Sequence, residues 1–176
     1  MVLGFFRLDR AFGMLRFAVQ RGRSKAPIRC LRRGETAVAS HVIRSMMSVP
    51  GIREKFIDKA RGIPADILCF DLEDSVAWDD KPAARELLAK ILPEFEARGR
   101  MVFVRVNGYD TGLTELELDA VVGPHLDGIN ISKVTDAADM ERVDHYLTFL
   151  EKTRGIPEGQ IKLIPWIENA TAVVNA

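Results

Sequence analysis

Carboxylates, a guanidinium and an ammonium stand where successive apolar runs of this chain end. Asp71, Glu73 and Asp74 close the run 67–70, Arg105 closes 101–104, Lys133 closes 129–132 and Glu168 closes 161–167. In a parallel β/α array the C-terminal strand ends all face one way, and that face carries the chemistry. On a strand, Asp71 and Glu73 would share a face while Leu72 points away. Such a pair at a rim could orient metal-bound waters or accept a proton. The structural alternative is a solvated turn that helps cap the next helix. Arg105 could hold a carboxylate through two parallel hydrogen bonds or stabilise a developing oxyanion; a pair with Asp71 or Glu73 would serve structure instead. Lys133 could join the same field or simply snorkel from a strand end. Glu168 is a candidate ligand for a hard cation such as Mg²⁺, or an acid complementing a helix dipole. One carboxylate does not make a metal site, so a second ligand is required.

The pattern from about residue 43 supplies the elements that must position these groups. Strands are predicted over 42–49, 67–72, 101–106, 128–132 and 161–167. Between them, helices are predicted over 52–61, from about 81 to 95, over 113–122 and over 137–152, with another opening at 169–176. Asp79 or Asp80 can cap the second helix, with Pro82 in its first turn and Pro93 ending or kinking it. Asp136 can cap the fourth. Five strands joined by four crossovers give an α/β class with a parallel sheet. No G-x-G-x-x-G or P-loop follows a strand. Periodicity alone does not separate an open sheet from part of a barrel.

Composition narrows the class further. Hydrophobic content of 47% and charged content of 28% are those of an ordinary globular protein, and no apolar run approaches a membrane span. Cys30 and Cys69 are too few for a disulfide framework, and Cys69 inside an apolar strand reads as a buried thiol. His41, His125 and His145 lack metal-ligand spacing. The net charge of zero hides an asymmetry: residues 1–44 hold ten Lys/Arg against Asp9 and Glu35, a balance of +8, and the remainder carries −8. The leader, residues 1–42, is arginine-rich, poor in acids and interleaved with Phe12, Met14, Leu15, Phe17 and Val19. A mitochondrial transit peptide, implying the matrix, is one reading. A disordered basic arm or an early start codon is the other, implying the cytoplasm. Nothing downstream offers the basic surface a nucleic acid would need.

Several segments together carry a family resemblance. Arg44-Ser45-Met46-Met47-Ser48-Val49-Pro50-Gly51 resembles the opening R-S-x-x-x-V-P-G of the citrate lyase β-subunit-like family, within the HpcH/HpaI aldolase superfamily. Asp71-Leu72-Glu73-Asp74-Ser75-Val76-Ala77 is similar to its D-L-E-D-[AGS]-V-A motif, and Asp80-Lys81-Pro82-Ala83-Ala84-Arg85 to its D-K-x-x-A-R. Val104-Arg105-Val106-Asn107, Leu126-Asp127-Gly128-Ile129 with Lys133, and Ile167-Glu168-Asn169-Ala170 follow in order. The match covers residues 43–176.

The resemblance implies a (β/α)₈ TIM barrel, of which this chain holds about the first five β/α units, usually oligomeric and often trimeric. It implies a Mg²⁺-dependent carbon–carbon lyase for malyl-, citramalyl- or citryl-CoA thioesters, with 2-oxo acid partners. Arg105 would then grip the oxo-acid carboxylate or enolate oxygen, with Lys133 in the substrate field. Glu168 would ligate Mg²⁺, and Glu73 and Asp74 would orient water. Three departures stand out. Ser132-Lys133-Val134-Thr135 replaces P-K-[VA]-E, Asn169 replaces a threonine, and the family's second metal-binding aspartate lies beyond Ala176. A barrel cut after five strands leaves open edges, so this chain alone is expected to be inactive and poorly soluble. Two alternatives are an aldolase acting on free 2-oxo acids, and a non-catalytic relative that pairs with an intact barrel.

Overall fold

The computed structural model describes residues 43–175; the basic segment and its targeting role lie outside the described residues. Five strands, β1 (Met46–Pro50), β2 (Ile67–Asp71), β3 (Met101–Val106), β4 (Gly128–Ile131) and β5 (Lys162–Pro165), pair in parallel in chain order. Helices α1 (Glu54–Ala60), α2 (Lys81–Ile91), α3 (Thr114–Val121), α4 (Ala137–Thr153) and α5 (Ala170–Asn175) alternate with them. A doubly wound sheet reverses its strand order at a switch point. Here the order never reverses, so crossovers of the right hand general to parallel strands would lay successive helices on one face, and the helices do share one core. That is the winding of a β/α barrel, the choice periodicity left open.

The two sheet faces are correspondingly unequal. Leu68, Phe70, Val104, Val106, Ile129 and Leu163 face outward and pack with Leu88, Leu118, Val143 and Leu147 of the helices in one continuous core. Alternate residues Ile67, Cys69, Phe103 and Ile164 form a smaller inward cluster with Met46, Met101 and Trp166. Gly128 is the register partner of Phe103, whose ring lies where a Cβ would stand; that Cβ would also crowd the Lys162 carbonyl at 2.8 Å. Glycine is what lets the inner aromatic lie across β4.

Local hydrogen bonding trims the expected elements. β1 begins at Met46 rather than residue 42, because the Arg44 and Ser45 amides donate to the Asp66 carboxylate at 2.9 and 3.0 Å. β5 stops at Pro165, two residues short of the expected end. Neither Asp79 nor Asp80 caps α2 by its side chain; a 3₁₀ turn over Trp78–Asp80 leads into the helix instead. Pro82 does occupy the first turn, and a second 3₁₀ turn, Leu92–Glu94, carries Pro93 out of it. Asp136 caps α4 as expected, accepting the Asp139 amide at 3.2 Å. Among the described residues no helix is long and apolar enough to cross a membrane.

Candidate active site

The C-terminal strand ends converge on Arg105. It is the register partner of Asp71 on the neighbouring strand, and both side chains point to the inner face. Arg105 Nε and Nη2 donate to Asp71 Oδ1 and Oδ2 at 2.7 and 2.6 Å, a two-pronged ion pair fully buried on the acid side. Asp71 also accepts the Glu73 and Ser75 amides at 2.8 and 3.1 Å, which folds the chain sharply after β2. Burial works against its ionisation, but Arg105 and these amides outweigh it and hold the carboxyl below the usual carboxylate range.

That fold carries Glu73 off the strand and over the guanidinium. Arg105 Nη1 lies 3.0 Å from Glu73 Oε2 and 3.4 Å from Asp74 Oδ2, and Lys133 Nζ lies 2.9 Å from Glu73 Oε1. Glu73 thus bridges two cations while almost fully buried, whereas Asp74 is exposed. Burial raises the Glu73 carboxyl above its ordinary value, against the pull of Lys133 and Arg105. The Trp166 ring covers the guanidinium, 4.8 Å from Cζ to centroid.

Glu168 joins this cluster through the main chain. Lys133 adopts φ +53°, the left-handed region unusual for a side-chain-bearing residue, and its amide donates to Glu168 Oε1 at 2.8 Å. Lys133 therefore reaches Glu73 with its ammonium and Glu168 with its backbone. Glu168 is exposed and lies three residues beyond β5, not on it. An exposed carboxylate is a donor of the kind Mg²⁺ accepts, and Mg²⁺ needs only one or two such ligands beside water. The residue fits as one ligand. Among the described residues no three His, Cys, Asp or Glu side chains gather into a metal cluster.

The HpcH/HpaI aldolase/citrate lyase family model matches residues 44–176. The chain belongs to this family. It is 44% identical over 104 residues to a (3S)-malyl-CoA thioesterase of Cereibacter sphaeroides, covering 59% of this chain and 36% of that protein. It is 36% identical over 133 residues to the citrate lyase subunit beta of Leuconostoc mesenteroides, covering 76% and 44% respectively. The chain thus spans less than half the length of these relatives. In fold it resembles the malate synthase of Haloferax volcanii in its magnesium/glyoxylate complex, with a TM-score of 0.68, 20% identity, and coverage of 79% of this chain and 46% of that one. The five-stranded parallel sheet is accordingly that of a TIM-barrel-type member of the family, and the family is enzymatic.

Within this family member, the structure brings together Arg105, Glu73, Asp74 and Lys133 directly, and Glu168 through the Lys133 amide. The Arg105–Asp71 pair weighed as structural is formed, and so is the contact with Glu73. Asp71 fills the guanidinium fork, so the Nη1 edge is the part shared with exposed Asp74. Sequence reasoning missed the layer beneath. Glu117, fully buried, accepts the Asn107 amide and Nδ2 at 2.8 and 2.6 Å. Lys81, also buried, donates to the Leu72 and Glu73 carbonyls at 2.8 and 2.9 Å. Lys81 lies inside the quoted D-K-x-x-A-R segment, and Glu117 is the charge that weakens the apolar stripe of α3.

Proposed function

We propose that the protein cleaves or forms a carbon–carbon bond in a 3-hydroxyacyl-CoA thioester of the malyl-, citramalyl- or citryl-CoA class, assisted by Mg²⁺. The observation that carries this reading is the Arg105 guanidinium, buried against Asp71 and presenting Nη1 beside Glu73 and Asp74. In the cleavage direction the hydroxyl proton leaves to a base and the adjacent carbon–carbon bond breaks. Its electron pair moves into the thioester, yielding a 2-oxo acid and an enolate that takes up a proton at carbon. Asp74 is the exposed acid at this edge and is assigned the hydroxyl proton. Arg105, kept protonated by its three carboxylates despite burial, stabilises the developing negative charge. Lys133 adds positive charge beside Glu73 and lies half-exposed, where a substrate carboxylate can reach it. Glu168 would hold Mg²⁺, which supplies polarisation of substrate oxygens.

The similarity to a malyl-CoA thioesterase favours a second reading, hydrolysis of the thioester instead of carbon–carbon cleavage. Incubating the protein with malyl-CoA and Mg²⁺ separates them. Acetyl-CoA with glyoxylate identifies a lyase; free malate with CoA identifies a thioesterase. Turnover of 4-hydroxy-2-oxo acids without CoA would displace both in favour of an aldolase.

A further inference from the structure

A buried polar network lies directly under the segment that carries Glu73 and Asp74. Two donors converge on the Leu72 carbonyl, Lys81 Nζ at 2.8 Å and Asn107 Nδ2 at 2.9 Å, and the same Lys81 ammonium holds the Glu73 carbonyl at 2.9 Å. Asn107 is fixed in turn by Glu117, whose two carboxylate oxygens accept its amide and its Nδ2 at 2.8 and 2.6 Å. Thr114 Oγ1 completes the seat, donating to the Asn107 carbonyl at 2.9 Å. All four side-chain-bearing residues are buried, so each bond is made where water cannot replace it. The network spans the start of α2, the end of β3 and α3.

We propose that Lys81, Asn107 and Glu117 are positioning residues that fix the Leu72–Glu73 backbone, so that the Glu73 carboxylate stays between Arg105 and Lys133. Their functional role rests on the lyase reading above; their hold on the loop does not. A carbonyl released from Lys81 lets the loop rotate, and Glu73 Oε2 and Oε1 then lose their places at 3.0 Å from Arg105 and 2.9 Å from Lys133. The same rotation moves Asp74, whose amide donates to Glu73 Oε2 at 3.0 Å. Lys81 and Arg85 of α2 are the cations that act on Glu117, and Asn107, just past β3, is its neutral partner. None of the three positioning side chains needs to touch a substrate.

Two measurements on Lys81→Met and on the milder Glu117→Gln decide the matter. Hydrogen exchange at the Glu73, Asp74 and Ser75 amides should accelerate by about tenfold or more in both variants, while the β2 ladder amides keep their protection. Turnover of malyl-CoA should fall by about 10- to 100-fold in kcat with KM nearly unchanged. Lys81→Arg should restore part of it. Most of that loss should vanish when the substitutions are made in a Glu73→Gln background, because the residue being positioned is already gone. Unchanged exchange at residues 73–75 would overturn the proposal, as would an undiminished loss in the Glu73→Gln background. If the wild-type protein turns over no CoA thioester, the exchange experiment alone judges the positioning.

Discussion

Asp71 and Arg105 face each other as register partners on adjacent parallel strands, and the carboxylate fills the guanidinium fork at 2.6 and 2.7 Å. The pair lies on the inner face, one alternation above Cys69 and Phe103, where neither charge has water to fall back on. Removing one partner strands the other. Arg105→Met should therefore destabilise the fold by about 3–5 kcal/mol, with Arg105→Lys falling between because an ammonium cannot make the fork. Urea unfolding with an unchanged m-value measures this. A Met variant as stable as wild type would show that Asp71 finds another partner.

Stability should respond to pH with opposite signs in two windows. Burial raises the Glu117 carboxyl to about 7 from an ordinary 4.5. Its contribution is thus fully present below about pH 4.5 and lost as pH rises through 7. Asp71 is depressed, so its contribution is present above the ordinary 3.8 and lost as pH falls through the lower folded value. Glu117→Gln should abolish the first slope, worth about 3 kcal/mol between pH 4.5 and 7. Urea midpoints at pH 5 and pH 8 test it; equal slopes in wild type and variant would refute it.

Glu168→Gln should separate metal binding from folding. The residue is exposed, and glutamine keeps an oxygen for the Lys133 amide, so stability should move by less than about 0.5 kcal/mol. Mg²⁺ binding by calorimetry and any Mg²⁺-dependent turnover should be lost together. Undiminished Mg²⁺ binding would remove Glu168 from the metal site.

Cys69 should be inert in the folded protein. Burial pushes its thiol up to about 12, and only thiolate alkylates readily. Peptide mass spectrometry after iodoacetamide treatment at pH 8 should find Cys69 unmodified in buffer and fully modified in urea. Rapid modification in buffer would mean that the inner face opens.

Much of the fold was legible in the residues themselves. Short apolar runs alternating with helical stripes are what a buried parallel sheet requires, and β3 falls on the expected residues 101–106. Boundaries slipped where a side chain took over the backbone, as Asp66 does ahead of β1 and as the 3₁₀ turn does ahead of α2. The candidate site was legible as a set of charged strand ends but not as a geometry. Charge at a strand end says where chemistry can sit, not which oxygen meets which nitrogen.

The α/β class, the succession of elements and the identity of Asp71, Glu73, Asp74, Arg105, Lys133 and Glu168 follow from the residues in order, because local periodicity and residue chemistry are written in one dimension. That the strands wind in one direction, that Asp71 occupies the Arg105 fork, and that Lys133 links Glu73 to Glu168 emerges only when the chain packs. Packing alone reveals Lys81, Asn107 and Glu117 as one network, since these lie 8 or more residues from the groups they hold, as with Asn107 and the Leu72 carbonyl 35 positions away. Long-range pairing depends on strand register and crossover hand, and those are properties of the packed chain rather than of any segment within it.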